Sequence, residues 1–383
     1  MKQKIQIAVL VLIVTLSFCN KKEPEINQVV QEVIEINEEK QAGVEFSFID
    51  KVKVTEVLYP TLTISENRDR IFISGVYLND QYKKIIKIFN GKLKYISQKI
   101  FHVGQGPGDM SASNVLTPVG EKLFISGNSN SRVDVYNENF EYIKSIRYSW
   151  ERVGGPFPLM DNGRCFIGTR YAMVGKKFNI TYKMVSFPGM DEKVILEKSM
   201  IHPMLNGGIF PIDTKPHSSY FFHDKYIYFL YMNDYQLLKF AVNGNRLKDV
   251  TVKTGEIRIS EAEKKRYLKE YVRYNEGRLR KTFSDTVMPA GSLVSLAKGF
   301  VVVRRKNYSK ECAGMVEGDY FNYGIDFVGK VKIPCFYRIY SLLGTKFIRD
   351  CQYDNGFIYT AHEIDEVLWL EKWQVVENEN EAR

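Results

Sequence analysis

The residues of this chain that could do chemistry are few and scattered. Gly104-Gln105-Gly106-Pro107-Gly108-Asp109 sets three glycines and a proline beside a carboxylate. Such glycines let backbone segments cross closely in a tight turn, and Asp109 can accept from nearby amides. The run lacks the Lys-Ser/Thr that completes a phosphate loop and does not join a strand to a helix, so it is not one. A structural turn is the preferred reading. Asn130 and Arg132 add an amide and a guanidinium; packing or capping is preferred for them over ligand contact. The five histidines, His102, His202, His217, His223 and His362, show neither H-E-x-x-H nor close metal-ligand spacing. No nucleophile elbow, S-x-x-K set or EF-hand loop is present. Cys165, Cys312, Cys335 and Cys351 contain no C-x-x-C pair, so a zinc or thioredoxin-like site is unsupported.

Cys19 stands apart. Met1-Lys2-Gln3-Lys4 is a short basic start, Ile5 to Leu16 is an almost unbroken apolar run, and Ser17-Phe18-Cys19 follows at once. A run of about a dozen residues suits the core of a signal peptide and is too short to span a bilayer as a helix. Leu16-Ser17-Phe18-Cys19 resembles a bacterial lipobox, which implies that the Cys19 thiol takes a diacylglycerol and becomes the acylated first residue after cleavage. Residues 1–18 are then the lipoprotein signal and 19–43 a tether opening with Asn20-Lys21-Lys22-Glu23-Pro24-Glu25. Acyl chains at about 0.8 kcal/mol per buried methylene would hold the protein at a membrane. The expected location is the cell envelope, lipid-anchored, at the outer membrane on its periplasmic or surface side.

Export constrains the rest. In an oxidising compartment one disulfide among the last three cysteines is plausible, with buried free thiols the equal alternative. Losing Lys2 and Lys4 takes the formal charge from +9 to +7, a scattered excess suited to anionic lipid or glycan; nucleic acid is not expected outside the cytoplasm. About 365 residues exceed what one ordinary core covers, unless the fold is a repeat array or closed ring. Aromatics at 13% favour pleated, half-buried surfaces.

The elements that must position these residues recur along the chain. Six β-type runs are anchored at Ile71, Leu123, Cys165, Ile227, Phe300 and Phe357, most after a turn signal such as Asp161-Asn162-Gly163 or Asp354-Asn355-Gly356. Each is followed by a second strand, a turn and a third strand, as in Ile85-Ile86-Lys87-Ile88-Phe89-Asn90-Gly91-Lys92-Leu93 and Val133-Asp134-Val135-Tyr136-Asn137. The anchor intervals are 52, 42, 62, 73 and 57 residues. With about 40 to 50 residues per four-stranded unit, six units and some insertions fit. The last unit lacks strands, which Val44-Glu45-Phe46-Ser47-Phe48 and Val52 to Val57 can supply, closing the ring and removing exposed edges. The expected fold is an all-β, six-bladed β-propeller of four-stranded antiparallel blades over residues 44–376, with a polar tail at 377–383. One insertion, about 258–281, reads as a helix from its Ser260-Glu261-Ala262-Glu263 capping box and Tyr267, Leu268, Tyr271 and Val272. Gln28–Lys40 reads as a short helix or an irregular lead.

His102-Val103-Gly104-Gln105-Gly106-Pro107-Gly108-Asp109-Met110 resembles the G-x-G-P-G-[DE] signature of six-bladed propeller lipoproteins of Bacteroidota, a TolB-like or NHL-like group. Leu123 to Tyr136 is similar to an NHL repeat. The resemblance implies the fold and an envelope location, and it transfers no catalytic residue. Three functions are open: a non-enzymatic binding or scaffold module, which is preferred; a calcium-dependent lactonase-like hydrolase or lyase with an axial metal; and a glycan-binding lipoprotein. No cofactor is expected, apart from calcium in the second case. The partners expected are membrane lipid through acylated Cys19 and an envelope protein or glycan.

Overall fold

The computed structural model describes residues 29–37, 39–65, 69–77, 79–110, 114–127, 132–148, 159–161, 163–174, 177–201, 218–232, 234–254, 257–258, 286–287, 290–304, 315–334, 351–364 and 367–378. Two strands precede the repeats, β1 (Val30–Glu35) and β2 (Val44–Val54). Blade 1 comprises β3 (Val57–Ser65), β4 (Arg70–Tyr77), β5 (Asp80–Asn90) and β6 (Tyr95–His102). Blade 2 is β7 (Asn114–Val119), β8 (Lys122–Gly127), β9 (Arg132–Asn137) and β10 (Tyr142–Arg147). In blade 3 the described strands are β11 (Cys165–Val174), β12 (Lys177–Ser186) and β13 (Glu192–Ile201). Blade 4 is β14 (Ser218–His223), β15 (Tyr226–Tyr231), β16 (Gln236–Ala241) and β17 (Arg246–Lys253), followed by a small ladder of β18 (Ile257–Arg258) on β19 (Thr286–Val287). Blade 5 is β20 (Ala290–Ser295), β21 (Gly299–Arg304), β22 (Val316–Asn322) and β23 (Phe327–Ile333); blade 6 has β24 (Cys351–Asp354), β25 (Phe357–Ile364) and β26 (Val367–Glu377).

The protein is a six-bladed all-β propeller of small antiparallel sheets. Six apolar clusters, one at each blade boundary, close the ring. Ile71 and Ile85 meet Tyr359 and Leu370 between blades 6 and 1. Phe72 and Ile86 meet Leu123 and Tyr136 across the next boundary, and Val133 and Tyr148 meet Phe166 and Val185 across the third. Ile167 and Tyr182 then meet Ile227 and Phe240, Tyr228 and Val250 meet Phe300 and Phe321, and Val301 and Val331 meet Ile358. Sandwiching each blade between two others buries both faces of its middle strands, which is why β21 is buried at all six positions while outer β6 is exposed at seven of eight. Each large side chain so buried contributes about 1.5–3 kcal/mol.

Several expectations change. β2 pairs with β26, from Val44 opposite Glu377 to Val54 opposite Leu368, and so supplies the outer strand of blade 6. The run ends at Val54; Val57 starts β3 after Glu56, whose φ of 64° breaks the extended chain. Residues 30–35 form neither a helix nor an irregular lead. They add a fifth, parallel strand to blade 4, because β-branched Val30, Val33 and Ile34 suit a pleat and the edge of β17 offers free amides and carbonyls. The ring strand β26 also reaches one residue past 376, where Glu377 accepts from the amides of Ala297 and Lys298 and from Tyr320 Oη. Among the described residues there is no helix, and the expected helix at about 258–281 lies almost wholly outside them, beyond Ile257–Arg258. Blade 3 has three described strands in place of four.

The outermost hairpin of four blades turns in one way. In blades 1, 2 and 5 the residue ending the third strand, Asn90, Asn137 or Asn322, accepts two backbone amides on its Oδ1 at 2.8–3.0 Å. Three positions later the chain enters the left-handed region at Leu93 (φ 57°), Phe140 (φ 59°) and Ile325 (φ 63°). That conformation costs an L-residue about 1–2 kcal/mol. All three side chains are buried in the boundary clusters, which offsets the strain. Blade 4 makes the same backbone turn through Gly244, and blade 3 a turn one residue longer, with Met190 four positions after Ser186.

Candidate functional site

The strand directions give the ring two unlike faces. Where the innermost strands end, the connections are short: 66–69, 91–94, 120–121, 138–141, 187–191, 224–225, 242–245, 296–298, 323–326 and 355–356. Where the innermost strands begin, the chain makes its long excursions: 103–113, 202–217, 254–289, 305–315 and 334–350. This loop face is the candidate binding surface, since loops on a rigid scaffold carry recognition.

One described piece of that face is the Gly104–Asp109 turn, between the end of β6 and the start of β7. Asp109 Oδ2 accepts from the Gly106 amide at 2.9 Å, and a Cβ on Gly104 or Gly106 would fall within 2.4–2.8 Å of the same oxygen. Gly108 takes a φ of 82°. Arg132, at the start of β9, reaches under the turn: its Nη1 donates to the Gln105 carbonyl and its Nη2 to the carbonyls of Gly106 (2.7 Å) and Asp109 (2.9 Å). Its Nε binds Asp134 Oδ2 at 2.9 Å. Tyr136 Oη donates to the Gly108 carbonyl at 3.2 Å. Four of the five guanidinium donors are thereby used inside the fold, and the side chain is buried. Asn130 and Cys19 lie outside the described residues. So do Cys312 and Cys335, whereas Cys165 is a free, buried thiol pushed up to about 11 by burial.

Arg132–Asp134 belongs to a recurring set that reading the chain alone did not single out. Asp134 also accepts from Ser145 Oγ at 2.5 Å. The equivalent of Asp134 in blade 5, Asp319, is fully buried and receives Arg304 Nε at 2.7 Å and Tyr235 Oη at 2.6 Å, with Lys330 Nζ at 3.7 Å. In blade 1 the position holds Lys87, bonded to Glu56 Oε2 at 2.9 Å. The signal was in the chain: Lys87, Asp134 and Asp319 each stand three residues before the turn asparagine, inside an otherwise apolar strand. A buried charge with its partner removed is strongly destabilising, so these pairs fix how strands and blades meet.

Around the axis the innermost strands are stitched by neutral groups. Gln352 Oε1 accepts from the Ile64 amide (2.9 Å) while its Nε2 donates to the Leu62 carbonyl (3.0 Å), joining blades 6 and 1. Thr63 Oγ1 donates to the Leu116 carbonyl (3.4 Å), and Ser219 Oγ accepts from the Leu293 amide (3.1 Å). β3, β7, β14, β20 and β24 together carry one carboxylate, Asp354, and one imidazole, His223, both at the short-turn end. His223 stacks on Tyr323 with ring centroids 3.7 Å apart. Among the described residues no three His, Cys, Asp or Glu side chains converge as a metal site would require.

No protein-family model and no curated protein sequence matches the chain. Similarity appears among solved structures. A Bacteroides fragilis protein that carries the name of an exported protein superposes with a TM-score of 0.50 at 10% identity, over 91% of this chain and 100% of its own. A DUF4221 family member from Bacteroides vulgatus gives a TM-score of 0.48 at 10% identity, over 88% of this chain and 100% of the other. Identity this low speaks to the fold.

Proposed function

We propose that the protein is a lipid-anchored propeller of the bacterial cell envelope, tethered through Cys19, that works as a non-enzymatic binding or scaffold module with its loop face toward the partner. The observation that carries this reading is the division of labour between the faces: every long connection leaves one face of a ring whose described inner strands are joined by neutral hydroxyl and amide groups. A site for acid–base or calcium-assisted hydrolysis needs convergent carboxylates, and the five described inner strands supply one. The signal-like residues 1–18 and the exported Bacteroides fragilis protein of similar fold support the envelope location and a source among the Bacteroidota. The TolB-like or NHL-like character of the repeats is part of the same proposal.

The test is capture from native membranes with a tag after Arg383, comparing the full chain, Cys19→Ala, and a chain in which 259–285 is replaced by a short Gly/Ser turn. A defined envelope protein or glycan that binds the full chain directly when purified, and is lost on shortening the loop face, supports the reading. Calcium-stimulated hydrolysis of lactones by the purified domain would replace it with the lactonase-like alternative.

A further inference from the structure

The lead into the ring leaves from a defined place. β1 runs parallel to β17, with Val30 opposite Lys248 and Glu35 opposite Lys253, and β17 starts directly after the 242–245 turn. The chain therefore reaches the rim of blade 4 at the short-turn face and climbs toward the loop face. Ion pairs of Lys248 with Glu32 (2.9 Å) and Lys253 with Glu35 (3.4 Å) hold it, and Ile34 and Ile36 pack on the cluster between blades 4 and 5. It is pinned again on blade 5, where the Ala42 amide donates to the Lys330 carbonyl and the Lys330 amide to the Lys40 carbonyl, both at 2.7 Å. β2 then runs along blade 6. The segment is a strap over the outer edges of three successive blades.

We infer that this strap moors the ring to a lipid bilayer with the short-turn face toward the bilayer and the loop face away from it; the inference rests on the anchor at Cys19 proposed above. From Cys19 to Val30 the chain spans at most about 35–40 Å when fully extended. To set the loop face on the bilayer, the tether would have to double back up the outside of blade 4. That climb takes about 26 Å along a strand the length of β17 and leaves only about 10 Å to reach the lipid. The described turns of the short-turn face carry both signs with acids in excess, Lys92, Lys94, Lys225 and Lys298 against Asp69, Glu121, Glu138, Glu141, Asp191, Asp224 and Asp326. The orientation therefore follows from where the strap leaves the ring, and it does not depend on attraction to anionic headgroups.

The experiment uses the full-length lipidated chain in phosphatidylethanolamine–phosphatidylglycerol vesicles that carry an acceptor dye on the lipid. A donor dye is placed through p-azidophenylalanine at Asn139, exposed on the short-turn face of blade 2, or at Gln105, exposed on the loop face at the neighbouring boundary. Energy transfer from position 139 should exceed that from 105 by about twofold or more, since the two ends of a blade lie about 20 Å apart. High salt should leave the ratio unchanged, and a long Gly/Ser insert after Glu25 should bring it to one. Equal or reversed transfer in a protein that floats with the vesicles overturns the orientation alone. A protein that floats no better than Cys19→Ala removes the anchor, and the orientation with it.

Discussion

The two faces of the ring are built from the same blades by opposite rules. At the short-turn face the outer hairpins of blades 1, 2 and 5 are each held within five residues of themselves, by an asparagine bridging two amides and an apolar side chain turned inward at a left-handed position. At the loop face the described holds reach across blades: Arg132 grips a turn 23–27 residues upstream, and Lys87 reaches back to Glu56. A local rule leaves little room for sequence to vary in length. A connection held from elsewhere in the chain is free to vary in length, and the longest connections, 202–217 and 254–289, lie at this face. Short fixed hairpins and long connections thus lie at different ends of the strands.

Substitutions can break this contrast in graded steps. Arg132→Ala should be the most damaging, since it strands the buried Asp134 carboxylate and frees three carbonyls: a loss of about 3–5 kcal/mol in urea unfolding is expected. A loss below about 1 kcal/mol would mean that the clamp does not hold the loop face. Ile325→Gly relieves about 1–2 kcal/mol of left-handed strain but forfeits about 2–5 kcal/mol of burial, so the net should be a destabilisation of about 1–3 kcal/mol. An increase in stability there would show that strain outweighs packing at the short turns. Asn322→Ala removes an acceptor shared by two amides and should cost about 1 kcal/mol, and Asn137→Ala the same in blade 2. Replacing 259–285 with a short turn should raise stability by no more than about 1–2 kcal/mol, because closure entropy grows only with the logarithm of loop length. A large loss on that last change would make the loop face part of the scaffold and erase the distinction.

What could be read from the chain was whatever lies close together along it. The six strand groups, their hairpin signals and the closing role of the segment after Val44 follow from alternation and from dipeptides such as Asn90-Gly91. The left-handed positions were hidden, because Leu93, Phe140 and Ile325 are residues for which that conformation is normally penalised; tertiary burial, which no local pattern encodes, overrides the penalty. Gly104–Asp109 and Arg132 were each conspicuous, yet only the fold brings guanidinium and carbonyls together. β1 was the hardest to see. Its partner β17 lies more than two hundred residues away, as the pairing of Glu35 with Lys253 illustrates, and six residues with two charges and a glutamine suggest a strand only once an open edge is waiting for them.

Closing blade 6 with β2 also sets an order of events. The ladder that seals the ring joins Val44 to Glu377, so the strands of all six blades must be made before its first ring strand has a partner. Until then β2 and the growing blades expose unpaired edges, and contacts this distant in sequence form slowly. A chain cut short before Val367 would keep five blades yet leave β2 without its ladder, an open sheet edge of the kind that recruits other chains. Completion of the ring is therefore reached only when its last blade has been made.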